Sequence, residues 1–322
     1  MIVSRHASDQ NADSRPVGGD STIALANAPV SYGVFSLGGE GGAILPDADQ
    51  LLEMVAEAGY AGIDSGPIGM LGRGKTLRAG LRRHGLRLAG GWVDLPFSDD
   101  AAFGAALPTY RTALEFFAEA ADLCPDLPPR PTLACAGSPE RTARPGGGPG
   151  LGLTPDGWDR FAANVERATE VARSHGLEPT FHHHACTYVE TPSEIRELLA
   201  RTSIGLTLDT GHLLLGGGEP TEALREWADR INHLHLKDAC RRVLDDVVGN
   251  GRDMRAVWTD RAFVPLGDGD LDLVEVMSRI LSSDFTGWLV VEQDVVPSPD
   301  DPPGQAQRDQ IHNRDVLRRW FP

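Results

Sequence analysis

Four short apolar runs in the second half of the chain end on side chains that bind metals or move protons. They are Phe181-His182-His183-His184, Leu206-Thr207-Leu208-Asp209 with His212 three residues on, His233-Leu234-His235-Leu236-Lys237-Asp238, and Val290-Val291-Glu292-Gln293-Asp294. Alternate side chains of an extended strand share a face, so His182 and His184 point one way and His183 the other. His233, His235 and Lys237 share a face for the same reason. Imidazoles beside carboxylates with open coordination positions suit Mn²⁺, Fe²⁺, Co²⁺, Zn²⁺ or Mg²⁺, and the order of intrinsic affinities selects none of them. Each residue alone has a plainer reading. A strand-terminal Asp often caps a helix, a lone His is usually a hydrogen-bonded core residue, Lys237-Asp238 reads as a surface ion pair, and three successive histidines as a chance surface cluster. Four such endings on successive strands point to a metal site.

The elements that must position these residues alternate regularly. Strand candidates fall at 21–33, 60–66, 86–95, 130–138, 177–185, 204–212, 231–238 and 287–294. Helical patterns lie between them at 46–60, 76–85, 109–123, 154–176, 191–203 and 219–230. Two of these close on Gly after a basic turn, Arg83-His84-Gly85 and Ser174-His175-Gly176, as a helix C-terminus does. Strand–helix alternation implies parallel strands joined by right-handed crossovers. Eight units predict a single-domain α/β chain, a (β/α)₈ barrel over residues 22–322, although an open doubly wound sheet has the same local signature. Residues 1–21 read as a disordered leader. Irregular stretches at 137–153 and 240–272 fall where a barrel places its functional loops.

Bulk properties narrow the partners. The formal charge of −16 repels nucleic acid and anionic membranes alike. No apolar run approaches the ~20 residues that cross a bilayer. The N-terminus lacks an apolar segment, so no signal peptide is expected. Four cysteines without CxxC spacing, Cys124, Cys135, Cys186 and Cys240, suit a reduced, cytoplasmic protein. A small molecule is the expected partner, and self-association into a homo-oligomer is left open.

One motif competes. Gly69-Met70-Leu71-Gly72-Arg73-Gly74-Lys75-Thr76 fits the phosphate-cradling pattern GxxxxGK[ST], with Leu206–Asp209 available as a Walker B strand. Its preceding strand, YAGID, is too weakly apolar for the buried central strand such folds need. A mobile loop over the barrel mouth is the preferred reading.

At LTLDTGH…RINHLHLKD…FVPLGDGDLD…GWLVVEQD the chain resembles the xylose-isomerase-like barrel superfamily of sugar isomerases and epimerases, from about Ser21 to the end of strand eight. The resemblance implies a metal site of Glu, Asp, His and Glu on strands five to eight. Its last three members map to Asp209, His235 and Glu292, and His212 matches a substrate-contacting residue. Strand five departs from this pattern. His182-His183-His184 stands where most members carry Glu-x-His, and with Thr187 and Val189-Glu190-Thr191 it resembles the inosose (2-keto-myo-inositol) dehydratase branch. His182, or alternatively His184, then supplies the fourth ligand, and Mn²⁺ is the first expectation for the ion.

Proton-shuttling isomerases of the superfamily use two metal-bound glutamates, and here Glu292 alone remains of that pair. A β-elimination needs a base for the proton α to a ketone and an acid for the leaving hydroxide. Glu292 or His182 suits the base, His184 or His212 the acid, and Lys237 would neutralise an enolate or orient a hydroxyl. Trp92 and Trp258 offer ring-stacking surfaces, and Arg252 and Arg255 offer charge for a carboxylate or phosphate. The expected substrate contacts are Trp92, His212, Lys237 and Arg255. The implied function is a metal-dependent lyase that dehydrates a cyclic polyol ketone. A metal-dependent isomerase or epimerase of a ketose is the alternative, and a non-catalytic sugar-binding barrel ranks third.

Overall fold

The structure is a computed structural model that describes residues 23–35, 44–147 and 150–322. The predicted leader lies outside these residues. Eight parallel strands close into a barrel: β1 (Ile23–Asn27), β2 (Gly62–Asp64), β3 (Arg87–Asp94), β4 (Arg130–Ala134), β5 (Thr180–His182), β6 (Gly205–Asp209), β7 (Ile231–Leu236) and β8 (Gly287–Val291). β1 pairs with both β2 and β8, which closes the ring. Helices follow the strands: α1 (Ala48–Glu57), α2 (Gly74–Arg83), α3 (Asp100–Ala121), α4 (Pro155–Ser174), α5 (Pro192–Arg201), α6 (Pro220–Glu226), α7 (Leu273–Ser282) and α8 (Gln305–Leu317).

Local chemistry sets these boundaries. Asp47 with Gln50, and Thr191 with Glu194, form reciprocal capping boxes at α1 and α5. Gly85 and Gly176 adopt positive φ, 67° and 75°, just past α2 and α4, where the chain turns back into a strand. The apolar faces bury Leu51, Leu52 and Val55 of α1 and Phe161, Val165 and Ala168 of α4 against the outside of the barrel. Inside, Trp288 seals the N-terminal end, its indole donating to the Leu127 carbonyl at 3.1 Å. A Cβ at Gly62 would lie 2.6 Å from that ring, so only glycine admits it. The C-terminal end is left to polar side chains. Asn27 ties the β1–β8 seam to α8, donating to the Val291 carbonyl at 2.7 Å and to Gln310 at 2.9 Å.

Several segments differ from the pattern reading. The third helix begins at Asp100, nine residues ahead of the predicted start at 109. Asp99 caps it, and buried Phe103 and Leu107 hold the first turns although Pro108 removes one backbone donor. Residues 240–272 are more ordered than expected. They form helices Arg241–Gly249 and Met254–Thr259 and a two-stranded antiparallel ribbon pairing Asp238–Ala239 with Phe263–Val264. The phosphate-loop motif is an outer-surface turn. Lys75 and Thr76 are exposed, and the Gly74 amide that would face a phosphate donates to the Glu119 carboxylate at 2.6 Å.

Candidate metal centre and active site

The strand tips converge. His182, Asp209 and His235 each offer a ligand atom, all within 4.8 Å of one another. Asp209 divides its work between two oxygens. Oδ1 accepts the His212 amide at 2.8 Å and caps the short helix Thr210–Leu215. Oδ2 lies 3.3 Å from His182 Nε2, 3.7 Å from His235 Nδ1 and 3.1 Å from Lys237 Nζ. Oδ1 thus fulfils the cap reading of a strand-terminal Asp, and Oδ2 is left facing His182, His235 and Lys237. Glu292 Oε2 approaches His235 Nδ1 to 2.5 Å.

This donor set fits a divalent cation. His182 Nδ1 and His235 Nε2 are buried without a hydrogen-bond partner among the described residues, and His235 Nδ1 and Glu292 Oε2 face only each other and Asp209. Buried polar atoms are normally paired, and converging orphans of imidazole and carboxylate type are what a hard or borderline cation satisfies. His183 faces away, as strand alternation requires. Its Nε2 accepts the Asp209 amide at 3.2 Å and pins β5 to β6.

Lys237 and Asp238 form no surface pair. Both are fully buried and point apart. The Asp238 carboxylate accepts the amides of Ala239, Gly267, Gly269 and Leu271, holding the 265–271 loop. Lys237 Nζ enters the barrel, 2.8 Å from Asp294 Oδ1 and 3.5 Å from Glu292 Oε2. Burial opposes its charge, but Asp209, Asp294 and Glu292 outweigh burial and hold the ammonium far above its ordinary range.

A cavity of 430 Å³ opens at the barrel mouth. His182, His184, His235, Glu292, Asp294 and Asp64 form its polar wall, and Val30, Val34, Phe35, Pro67, Trp92 and Trp258 its apolar wall. Trp92 is 38% exposed and stands edge-on to His182 and His184, so it is a mouth residue and not core. His212 and Lys237 sit one layer behind. The His212 ring stacks on His184 at 3.7 Å between centroids, and its Nε2 is 3.1 Å from Lys237 Nζ. Arg255 is exposed on the helix Met254–Thr259 and does not line the cavity; Trp258 of the same helix does. Arg252 pairs with Asp260 on the surface.

Two carboxylates went unassigned in the sequence reading. Asp294 was visible in the strand-eight ending, where only Glu292 received a role. Asp64 ends β2 as Asp209 ends β6, and the same strand-end reasoning applied to YAGID would have found it. The apolar residues at 30–35 carry no such signal.

Charge in the centre is unevenly held. Burial opposes protonation of His235, yet Glu292, Asp209 and Asp64 raise it to about 10. Burial lowers His182 to about 3, leaving it a neutral donor ready to ligate. Without a cation the carboxylates thus charge His235 instead, and ligation through His235 must expel that proton. Below its pKa the proton competes with the ion, so affinity falls as pH falls. Mn²⁺ affinity should rise about tenfold per pH unit between about pH 6 and pH 8, with about one proton released per ion. Calorimetry in buffers of different ionisation enthalpy measures the proton count, and a pH-independent affinity with no release would remove His235 from the ligand set.

The family model for the xylose isomerase-like TIM barrel matches residues 52–318. The chain belongs to that family. A protein named inosose dehydratase from Geobacillus kaustophilus (strain HTA426) is 31% identical over 257 residues, spanning 78% of this chain and 81% of that protein. The inosose dehydratase of Bacillus thuringiensis (strain Al Hakam) is 35% identical over 149 residues, 45% of this chain and 50% of its own length. Among solved structures, D-psicose 3-epimerase from Clostridium cellulolyticum H10 superposes with a TM-score of 0.65 at 15% identity, covering 92% of this chain and 98% of that one. A probable 3-DHS dehydratase from Bacillus anthracis gives 0.62 at 13%, again over 92% and 98%. At these identities the structures establish the shared barrel. The family fold thus agrees with the barrel expected from strand–helix alternation. Among the described residues, no helix is long and apolar enough to cross a membrane.

Proposed function

We propose that this protein is a divalent-metal-dependent lyase that removes water from a cyclic polyol ketone of the inosose type. One observation carries the reading: a neutral imidazole acceptor and a cation-binding donor set face the same cavity, in a chain whose relatives over this span are named for that reaction. His182, Asp209, His235 and Glu292 would hold the ion, Mn²⁺ for preference. A bound cation supplies Lewis-acid polarisation of the ketone oxygen.

The chain's own residues do the rest. His184 Nδ1 donates to the Ala185 carbonyl at 2.9 Å, which leaves Nε2 as the acceptor. Burial lowers its pKa, so it rests neutral and enters as a base. It takes the proton from the carbon α to the ketone. The C–O bond at the β carbon then breaks, and the departing hydroxide recovers a proton from the same imidazolium to leave as water. The acid role foreseen for His184 therefore follows a base step. His212 holds the His184 ring from beneath, and Lys237 supplies the positive field behind Glu292. Trp92 and Trp258 take the ring's C–H face. A cavity of this size suits a single small ligand. Four free thiols suit a reducing compartment, and we assign the protein to the cytoplasm.

Mass spectrometry of the Mn²⁺-loaded protein's product in D₂O tests the reaction. Loss of one water supports the lyase. Deuterium at the α carbon without loss of mass as water would instead establish an isomerase or epimerase. His184→Gln should bind Mn²⁺ like the wild type and lose about 10²- to 10⁴-fold in turnover, the usual contribution of a positioned base; unchanged turnover would remove His184 from the chemistry.

A further inference from the structure

Asp64 lies outside the four-ligand set on β5–β8, across the barrel on β2. It is buried, its side chain 8% exposed, and it lines the cavity wall. Two features aim it inward. The β2–β3 pairing shifts register between Ile63 and Asp64, and such irregularities next to active sites redirect side chains. Gly90 then clears the space, because a Cβ there would meet the Arg130 carbonyl at 2.7 Å and Asp64 Oδ1 at 3.3 Å.

The imidazole of His235 stands between two acidic groups. Its Nδ1 faces Glu292 and Asp209, and its Nε2 lies 3.6 Å from Asp64 Oδ2. Among the described residues Nε2 has no hydrogen-bond partner, and Asp64 Oδ1 has none either. His233 completes this inner group within 4.8 Å but offers an imidazole and not a carboxylate. A histidine that ligates through one nitrogen donates its other N–H to a carboxylate or carbonyl, which fixes its tautomer and strengthens it as a donor.

We propose that Asp64 is the positioning carboxylate of the metal centre, accepting the Nε2–H of His235 and committing Nδ1 to the ion. This rests on His235 being a metal ligand. Asp64 takes a role of position and not of ligation. It works through the His235 ring, and β2 thereby enters a site otherwise built on β5–β8.

Mn²⁺ titration followed by electron paramagnetic resonance tests this with full-length wild type, Asp64→Ala, Asp64→Asn and His233→Gln. Asp64→Ala should bind Mn²⁺ about 10- to 100-fold more weakly, the usual loss for such partners. Asp64→Asn, whose amide oxygen still accepts Nε2–H, should recover most of that loss. His233→Gln should bind like the wild type. Thermal melts of the metal-free proteins separate this from a folding defect, since recovery by Asn follows hydrogen-bond acceptance and not stability. If Asp64→Ala matches the wild type, or if the loss falls on His233→Gln, the assignment to Asp64 is overturned while the metal centre stands. If the wild type binds no divalent ion, the metal centre and this inference both fall, and that arm alone reports it.

Discussion

Asp209→Ala should strip the protein of its metal and of its activity together. The Asp209 carboxylate is fully buried and is in contact with His182, His235 and Lys237 at once. Removing it deletes a ligand and the negative charge that favours a cation there. Metal affinity should fall by more than the roughly 10- to 100-fold that second-layer partners cost. Turnover should fall by about 10³-fold or more, given that a Lewis acid supplies several kcal/mol to such steps. Because Oδ1 also caps the helix Thr210–Leu215, Ala carries an added stability cost of about 1 kcal/mol. Asp209→Asn retains that cap and separates the two roles: it should melt above Asp209→Ala yet still lose the ion. Elemental analysis after dialysis measures this, and a variant that keeps one ion per chain would remove Asp209 from the ligand set.

Lys237→Met should give the largest stability change. The ammonium is enclosed by Asp294, Asp209 and Glu292, with Phe263 5.0 Å from ring centroid to Nζ. Methionine fills much of the volume but leaves three buried carboxylates facing one another. Breaking a buried pair by removing one partner typically costs about 3–5 kcal/mol. The pH dependence identifies the cause. Without the ammonium the carboxylate pKa values rise, so the folded variant binds protons more readily than the unfolded chain. Its deficit should therefore shrink as pH falls and be greatest near and above neutrality. Mn²⁺ should restore part of the loss by supplying positive charge. Thermal melts across pH, with and without Mn²⁺, check both points; a deficit indifferent to pH and metal would mean that Lys237 acts by packing alone.

Much of this site was legible in the sequence because strand geometry is simple. Period two places His182 and His184 on one face and His183 on the other, and parallel strands bring their C-terminal tips together. Asp209, His235 and Glu292 converge as that rule requires. What could not be read depends on depth and on distant pairing. His212 and Lys237 share the inward direction, but only packing shows them one layer behind His184 and Glu292. Asp64 owes its aim to a register shift and to a glycine on the neighbouring strand, neither visible in its own segment. The 240–272 stretch looked irregular because its helices are short and broken by Gly and Asp, while their stability comes from burying residues such as Leu244, Val247 and Met254.

The ultraviolet absorbance of a conjugated, enolised dione offers the most direct test of the central claim, that a metal centre at this barrel mouth drives dehydration of a cyclic polyol ketone. Mn²⁺-loaded protein mixed with 2-keto-myo-inositol should develop that absorbance. The signal should vanish on chelation, return when Mn²⁺ is restored, and be absent with Asp209→Asn. A metal-loaded, folded protein that leaves the ketone unchanged, or one that dehydrates it equally well after chelation, would contradict the account.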